Sequence, residues 1–355
     1  MELDRREKFN EDDAFDVGNL MHRFSSDIVM RCLYKQKDSV NFKLNESCQL
    51  VDVMESGQDE FGRSSLIKFS FLVPSFRRIV DWLSYYLHPS GEWRRSIMHI
   101  LRVQARQSIE AQKYIEEMKQ KGCRLEDEDN FKLKDGTNFT RSLIDYIVMQ
   151  FYRGKITKSE FFNSSSFLFN AADRTVSDSL SHTLFQLAKH PQIQDKLRES
   201  IKQHGMESEY LLWVINESMR LFPPVSMGAT RVAEDGLEMA DGDTLPAGTI
   251  LHTPVIVIHR SKKFWGDDAD EFKPDRFADA DKFHPCQFMP FGAGARICLG
   301  KDMAMFEMKM LLSALLARYR FTNPRGNLHP LDLIAPFFIF YIFETPVVIS
   351  ISRLE

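Results

Sequence analysis

The chain has 355 residues, with 46 Lys and Arg against 50 Asp and Glu, a formal charge of −4. That balance argues against a nucleic-acid-binding protein, which carries a clear basic excess, and 43% hydrophobic with 27% charged residues excludes a largely disordered chain. The 29 phenylalanines, against 9 Tyr and 4 Trp, suit a large apolar core or an apolar ligand cavity.

In chain order, the opening MELDRREKFNEDD lacks the apolar stretch of a signal peptide. Ala14–Tyr34 places Val17, Leu20, Met21, Phe24 and Ile28 at helical spacing and predicts a helix. Leu50–Leu87 is a broken apolar stretch with a turn at Pro74. Trp93–Gln120 reads as one long amphipathic helix capped by Gly122, and Glu126–Asp129 as a solvated acidic loop. Phe139–Arg153 and Thr157–His190 predict two further helices, the second stopped by Pro191.

Glu209–Phe222 predicts a short helix ended by Pro223–Pro224. Residues 225–258 read as short strands with turns at Asp241–Gly242 and Ala247–Gly248, and 262–300 as irregular. Lys301–Tyr319 is strongly helical. Leu333–Ile351, interrupted by Pro336, Glu344 and Pro346, reads as two strands joined by a turn, not as a membrane span of ~18 apolar residues. The expected fold is mainly α with small β-sheets, in one domain over residues 1–355.

Five cysteines, Cys32, Cys48, Cys123, Cys286 and Cys298, are widely spaced with no CxxC pair, so reduced thiols are expected rather than a disulfide framework or a zinc site. Cys298 differs from the others in its surroundings. Phe291, Gly292, Gly294, Arg296, Cys298 and Gly300 fit F-G-x-G-x-R-x-C-x-G. Gly292 and Gly294 permit backbone conformations closed to other residues, so the chain can fold tightly around a sulfur. The helix beginning near Lys301 presents its positive end to the same place. Together these favour Cys298 as a thiolate, a good soft metal ligand, with Arg296 available to a cofactor carboxylate.

This segment resembles the haem-binding loop of the cytochrome P450 superfamily. The resemblance implies haem b as cofactor, Cys298 as axial ligand to its iron and Arg296 as a contact to a haem propionate, the thiolate pushing electron density onto iron. Three further segments agree. Glu217-Ser-Met-Arg220 fits E-x-x-R, with both side chains on one helix face. Pro274-Asp-Arg276-Phe277 resembles the P-x-R-F element, which implies that Arg276 joins Glu217 and Arg220 in a buried structural triad bracing the cysteine loop. Arg231, after the Pro-Pro break, is placed where the family carries a second propionate ligand.

Phe169-Asn-Ala-Ala-Asp-Arg-Thr-Val176 resembles the helix that crosses the haem, with pattern A-G-x-(D/E)-T-T. Thr175 matches the threonine that hydrogen-bonds dioxygen and helps deliver protons. Arg174 occupies the acid position and Asp173 precedes it, so the acid is displaced by about 100° on a regular helix, unless a local bulge restores it. Thr175 and Asp173 are the candidate catalytic residues.

Gly91-Glu-Trp-Arg-Arg95 resembles the family's C-helix, yet Ala14–Tyr34 already resembles segments that follow that helix. Trp93–Gln120 is therefore read as the later G-helix, and the N-terminal anchor, first sheet, B-helix and C-helix are expected to be absent.

The resemblance implies a monooxygenase of the eukaryotic microsomal type, acting on an apolar small molecule (a lipid, sterol or xenobiotic) with electrons from NADPH-cytochrome P450 reductase. By the same family habit it implies the cytosolic face of the endoplasmic reticulum membrane. Candidate cavity residues are Phe167, Ala171, Val225–Gly228 and Pro336–Phe338. Alternatives are a reductase-independent haem-thiolate isomerase or dehydratase, and a truncated non-catalytic relative.

Overall fold

The computed structural model describes residues 14–34, 120, 143–152, 154–228, 230–323, 333–337, 340–343 and 348–354. The expectations for Leu50–Leu87, the Trp93–Gln120 helix apart from its last residue, Gly122, Glu126–Asp129, Cys48, Cys123 and Phe338 lie outside the described residues. The described residues are mainly α-helical with small antiparallel sheets. The chain divides into two compact units: Met1, Leu3–Met21 and Thr175–Glu355, and Glu2 with His22–Arg174.

In the unit containing Thr175–Glu355, Pro191 starts a helix as well as ending one. Lys158–Lys189 is followed at once by the helix Pro191–His204. Proline suits a first turn, where its missing N–H has no intrahelical partner to lose. This helix went unread in the sequence because its apolar stripe is only Ile193, Leu197 and Ile201. A buried amide helps to seat it. Gln194 Nε2 donates to the carbonyls of Leu187 (3.0 Å) and Phe321 (2.9 Å), and Gln194 Oε1 accepts from the Phe321 N–H (3.0 Å).

The next helix, Glu209–Leu221, is capped by Ser208, whose side chain accepts from the Leu211 N–H at 3.0 Å. Its last five residues, Glu217, Ser218, Met219, Arg220 and Leu221, are all buried. Short antiparallel pairs follow, Arg231–Ala233 with Thr249–Leu251 and Leu237–Glu238 with Thr244–Leu245. The strand expectation then fails. Val255–Arg260 is a helix although its VIVI run is β-branched. Tertiary contacts override that propensity: Arg260 Nε and Nη2 donate to the Leu221 carbonyl at 3.0 and 2.7 Å, and Trp265 Nε1 donates to the Ile258 carbonyl at 3.1 Å.

The helix Lys301–Leu316 buries Met308, Leu311, Leu312, Leu315 and Leu316. A three-stranded antiparallel sheet closes this unit, with Val348–Arg353 between Ala14–Asp16 and Tyr319–Thr322. Two sequence readings are corrected here. Ala14–Asp16 is a strand, and the helix starts at Val17. Leu333–Ile351 holds three strands rather than two: Leu333–Phe337 pairs with Phe340–Phe343, and Val348–Arg353 belongs to the other sheet. Pro336 sits inside a strand because the register shifts between Ile334 and Phe337, which is where a residue without an N–H is tolerated.

In the unit of His22–Arg174, the long helix begins with a reciprocal cap. Thr157 Oγ1 accepts from the Glu160 N–H at 3.2 Å, and Glu160 Oε2 accepts from the Thr157 N–H at 2.7 Å.

Candidate haem-thiolate site

The structure brings Glu217, Arg220 and Arg276 together. Arg220 Nε donates to Glu217 Oε2 at 2.7 Å and Arg220 Nη2 to Glu217 Oε1 at 2.9 Å. Arg276 Nε and the Lys273 N–H reach the same Oε1 at 2.9 and 2.8 Å. Glu217 and Arg220 are fully buried, so every polar atom needs a partner. Arg220 finds the rest in carbonyls: Nη1 donates to His259 (2.8 Å) and Ala269 (2.6 Å), Nη2 to Glu271 (3.1 Å). Arg276 Nη2 donates to the Asp268 carbonyl at 3.0 Å. The two guanidiniums thus tie the helix Glu209–Leu221 to residues 259–276. Under them lies an aromatic cluster of Trp265, Phe277, Phe283 and Phe288.

The cysteine loop follows that cluster. The Cys298 N–H donates to the Phe291 carbonyl at 2.9 Å and closes the loop across its base. Gly292 and Gly294 have φ of +76° and +70°, the left-handed region that the sequence assigned to them. A Cβ on Gly294 would meet nothing within 4 Å, so its cost would be backbone strain alone. Gly294→Ala is therefore expected to destabilise the loop by about 1–2 kcal/mol, and Gly294→Asn by less, because asparagine tolerates this region better. Paired denaturation curves check the order.

Gly300 precedes the helix Lys301–Leu316, and a Cβ there would meet only Cys298 Sγ, at 4.0 Å. Cys298 carries a free thiol and is exposed, as are the neighbouring Ile297 and Leu299. Phe291 is half-buried and Arg296 is exposed at the end of a 3-10 turn, Gly294–Arg296. One soft sulfur donor, a free-standing cation and apolar side chains on a glycine-lined loop fit a flat apolar macrocycle that carries a soft-ligated metal and carboxylates. Arg231 is exposed in the strand Arg231–Ala233, and its Nη1 donates to the Thr230 carbonyl at 3.0 Å.

The long helix is regular α throughout Lys158–Lys189, with no bulge at 173–175. The one-residue displacement of the acid therefore stands. Asp173 is buried and both its oxygens are engaged. His22 Nε2 lies 2.5 Å from Oδ2, and Ser26 Oγ donates to Oδ1 at 2.9 Å. A carboxylate so placed ties the helix Lys158–Lys189 to His22 and Ser26 of the helix Val17–Tyr34. Arg174 and Thr175 are half-buried, and the Thr175 carbonyl accepts from Ser179 Oγ at 2.8 Å.

Of the candidate cavity residues, Phe167 is exposed and Ala171 half-buried. In Val225–Gly228, the Gly228 N–H donates to the Thr253 carbonyl at 2.7 Å, and Ser226 accepts from the Ile256 N–H at 3.1 Å. Pro336 and Phe337 lie in the strand Leu333–Phe337.

Sequence reasoning missed His259. It is fully buried, its carbonyl accepts from Arg220, and its Nε2 accepts from the Met289 N–H at 2.9 Å. Only an unexplained histidine in a hydrophobic run signalled it. Burial, aided by the Arg220 charge, lowers its pKa from 6.5 to about 4, against the pull of the Met219 and Arg220 carbonyls. The folded chain thus keeps the ring neutral while the unfolded chain protonates it near 6.5. Its contribution is complete above pH 6.5 and is lost as pH falls towards 4. Stability of the wild type should fall more steeply across that window than stability of His259→Gln, as read from denaturation at stepped pH.

Comparison with known proteins agrees with this geometry. The family model described as Cytochrome P450 matches residues 2–336. Cytochrome P450 3A12 of Canis lupus familiaris is 29% identical over 96% of this chain and 65% of its own length. Cytochrome P450 734A5 of Oryza sativa subsp. japonica is 35% identical over 51% of this chain and 36% of its own length. A cytokinin hydroxylase of Arabidopsis thaliana is 35% identical over 45% of this chain and 33% of its own length. The chain thus spans less than two thirds of these relatives. With the family model matched over most of its length, the chain belongs to the cytochrome P450 family, whose members bind haem b.

Proposed function

We propose that this chain is the haem-thiolate part of a monooxygenase acting on an apolar organic substrate. The observation that supports this most is the closed cysteine loop, with its thiol exposed and its two left-handed glycines, following the segment tied by the buried Glu217–Arg220–Arg276 triad. Haem b, when bound, supplies the chemistry that places one atom of O2 in the substrate and reduces the other to water with two electrons from NADPH. Cys298 ligates the iron. Arg296 and Arg231 pair with the propionates, Phe291 shields the sulfur, and Gly292, Gly294 and Gly300 keep the backbone close to it. Thr175 offers its hydroxyl for proton delivery on the oxygen side.

NADPH-cytochrome P450 reductase is the electron donor, and the cytosolic face of the endoplasmic reticulum membrane is the location, both by resemblance to microsomal relatives. Among the described residues no helix is long and apolar enough to cross a membrane. Reconstitution with haem, reductase and NADPH over a panel of fatty acids, sterols and xenobiotics tests the proposal. Oxygenated product that requires all three supports it, and no product from any class overturns it.

A second reading, a reductase-independent isomerase or dehydratase, is favoured by one observation. The acid position holds Arg174, and the adjacent Asp173 is committed to His22 and Ser26. Turnover of a fatty-acid hydroperoxide without NADPH would select it. Under the first reading, Arg174→Asp restores an acid beside Thr175 and should raise the ratio of product formed to NADPH consumed. An unchanged hydrogen peroxide yield would count against that.

A further inference from the structure

His259 joins the triad to the cysteine loop through two different groups. Its carbonyl accepts from Arg220 Nη1 at 2.8 Å, and its ring Nε2 accepts from the Met289 N–H at 2.9 Å. The Met289 carbonyl in turn accepts from the Gly292 N–H at 3.1 Å, and the Phe291 carbonyl from the Cys298 N–H at 2.9 Å. A continuous set of hydrogen bonds therefore leads from Glu217 to the first glycine of the loop. The adjoining residue Phe291 then receives the bond that closes it.

The ring has little freedom to move. It packs on Phe288 with centroids 5.3 Å apart, and Phe288 packs on Phe277 at 4.9 Å. Arg220 lies over Trp265 at 5.0 Å, and Trp265 Nε1 fixes the Ile258 carbonyl just before His259. An Nε2 that accepts from an N–H carries its proton on Nδ1. Nδ1 is buried near the Met219 and Arg220 carbonyls without a hydrogen bond of good geometry. The arrangement accepts an imperfectly satisfied donor at one nitrogen and keeps an acceptor at the other, aimed at the backbone that enters the loop.

We propose that His259 is a positioning residue. Its ring acceptor sets the register of residues 289–298 against the triad, and so sets where Cys298 presents its sulfur. The consequence for haem rests on the function proposed above, whereas the consequence for the backbone does not. His259→Phe preserves an aromatic ring against Phe288 and removes the Nε2 acceptor, together with the Nδ1 donor that has no hydrogen-bond partner. His259→Gln can return an acceptor near the same place through Oε1.

The test compares these variants with the wild type by amide hydrogen exchange in the haem-free chain and by haem transfer from the loaded protein to a scavenger. His259→Phe should speed exchange at Met289 and Gly292 about tenfold beyond any change in global stability, and speed haem loss by a similar factor. His259→Gln should restore most of both. Should His259→Phe not fold, His259→Asn carries the same expectation, because its shorter side chain falls short of Met289.

Unchanged exchange at Met289 in the variant lacking the acceptor would overturn the proposal. So would equal deprotection in His259→Gln, since a purely structural role would lower global stability without distinguishing these amides. A wild type that takes up no haem would sink the proposed function while leaving the exchange result to decide the role of His259.

Discussion

Cys298→Ser should abolish thiolate ligation while leaving the haem-free fold almost untouched. Losing a partner that merely orients a metal ligand costs about 10–100-fold in affinity, so losing the ligand itself should cost more. Cys298 is exposed, and its backbone, not its side chain, closes the loop through the Phe291 carbonyl. Exposed substitutions away from packed contacts stay within about 0.5 kcal/mol. Denaturation midpoints of wild type and variant without haem should therefore coincide, while the absorption spectrum with haem and carbon monoxide loses its thiolate band. A serine variant that keeps the band would remove Cys298 from the site. One that unfolds would make the cysteine structural.

Glu217→Ala should do the opposite, damaging the fold first and cofactor retention as a consequence. Removing the carboxylate leaves Arg220, fully buried, and Arg276, nearly so, without their shared counter-ion. Breaking a buried ion pair from one side costs about 3–5 kcal/mol, a large part of the ~5–15 kcal/mol that holds a domain folded. The Lys273 N–H loses its acceptor as well. Glu217→Gln keeps the shape and one acceptor oxygen, so it should fall between wild type and alanine. Urea denaturation of the three proteins reads the order directly, and equal stability of alanine variant and wild type would show that the triad does not carry the load its geometry suggests.

Much of the site was legible because its chemistry demands particular residues at short fixed spacings. Left-handed φ at Gly292 and Gly294 is a local demand, and F-G-x-G-x-R-x-C-x-G announces it without reference to any distant contact. Glu217 and Arg220 are three apart on one helix, so their pairing is local too. Other elements were not legible. The polar helix Pro191–His204 hid behind a narrow apolar stripe and a proline that serves its first turn. The run VIVI before His259 favours a strand by propensity, yet it is helical, and Leu221 and Trp265 hold the C-terminal end of that helix through hydrogen bonds with Arg260 and Ile258.

The amino-acid order alone determined the left-handed glycines ahead of Cys298, the helix pairing Glu217 with Arg220, and the family to which they point, because each depends on residues close in the chain. Tertiary structure decided what those groups answer to. It brought Arg276 and the Lys273 N–H onto Glu217 from more than fifty residues away, joined Asp173 to His22 and Ser26, and set a buried imidazole between triad and loop. Buried polar atoms must find partners wherever the chain returns, and where it returns is a property of packing that no local spacing encodes.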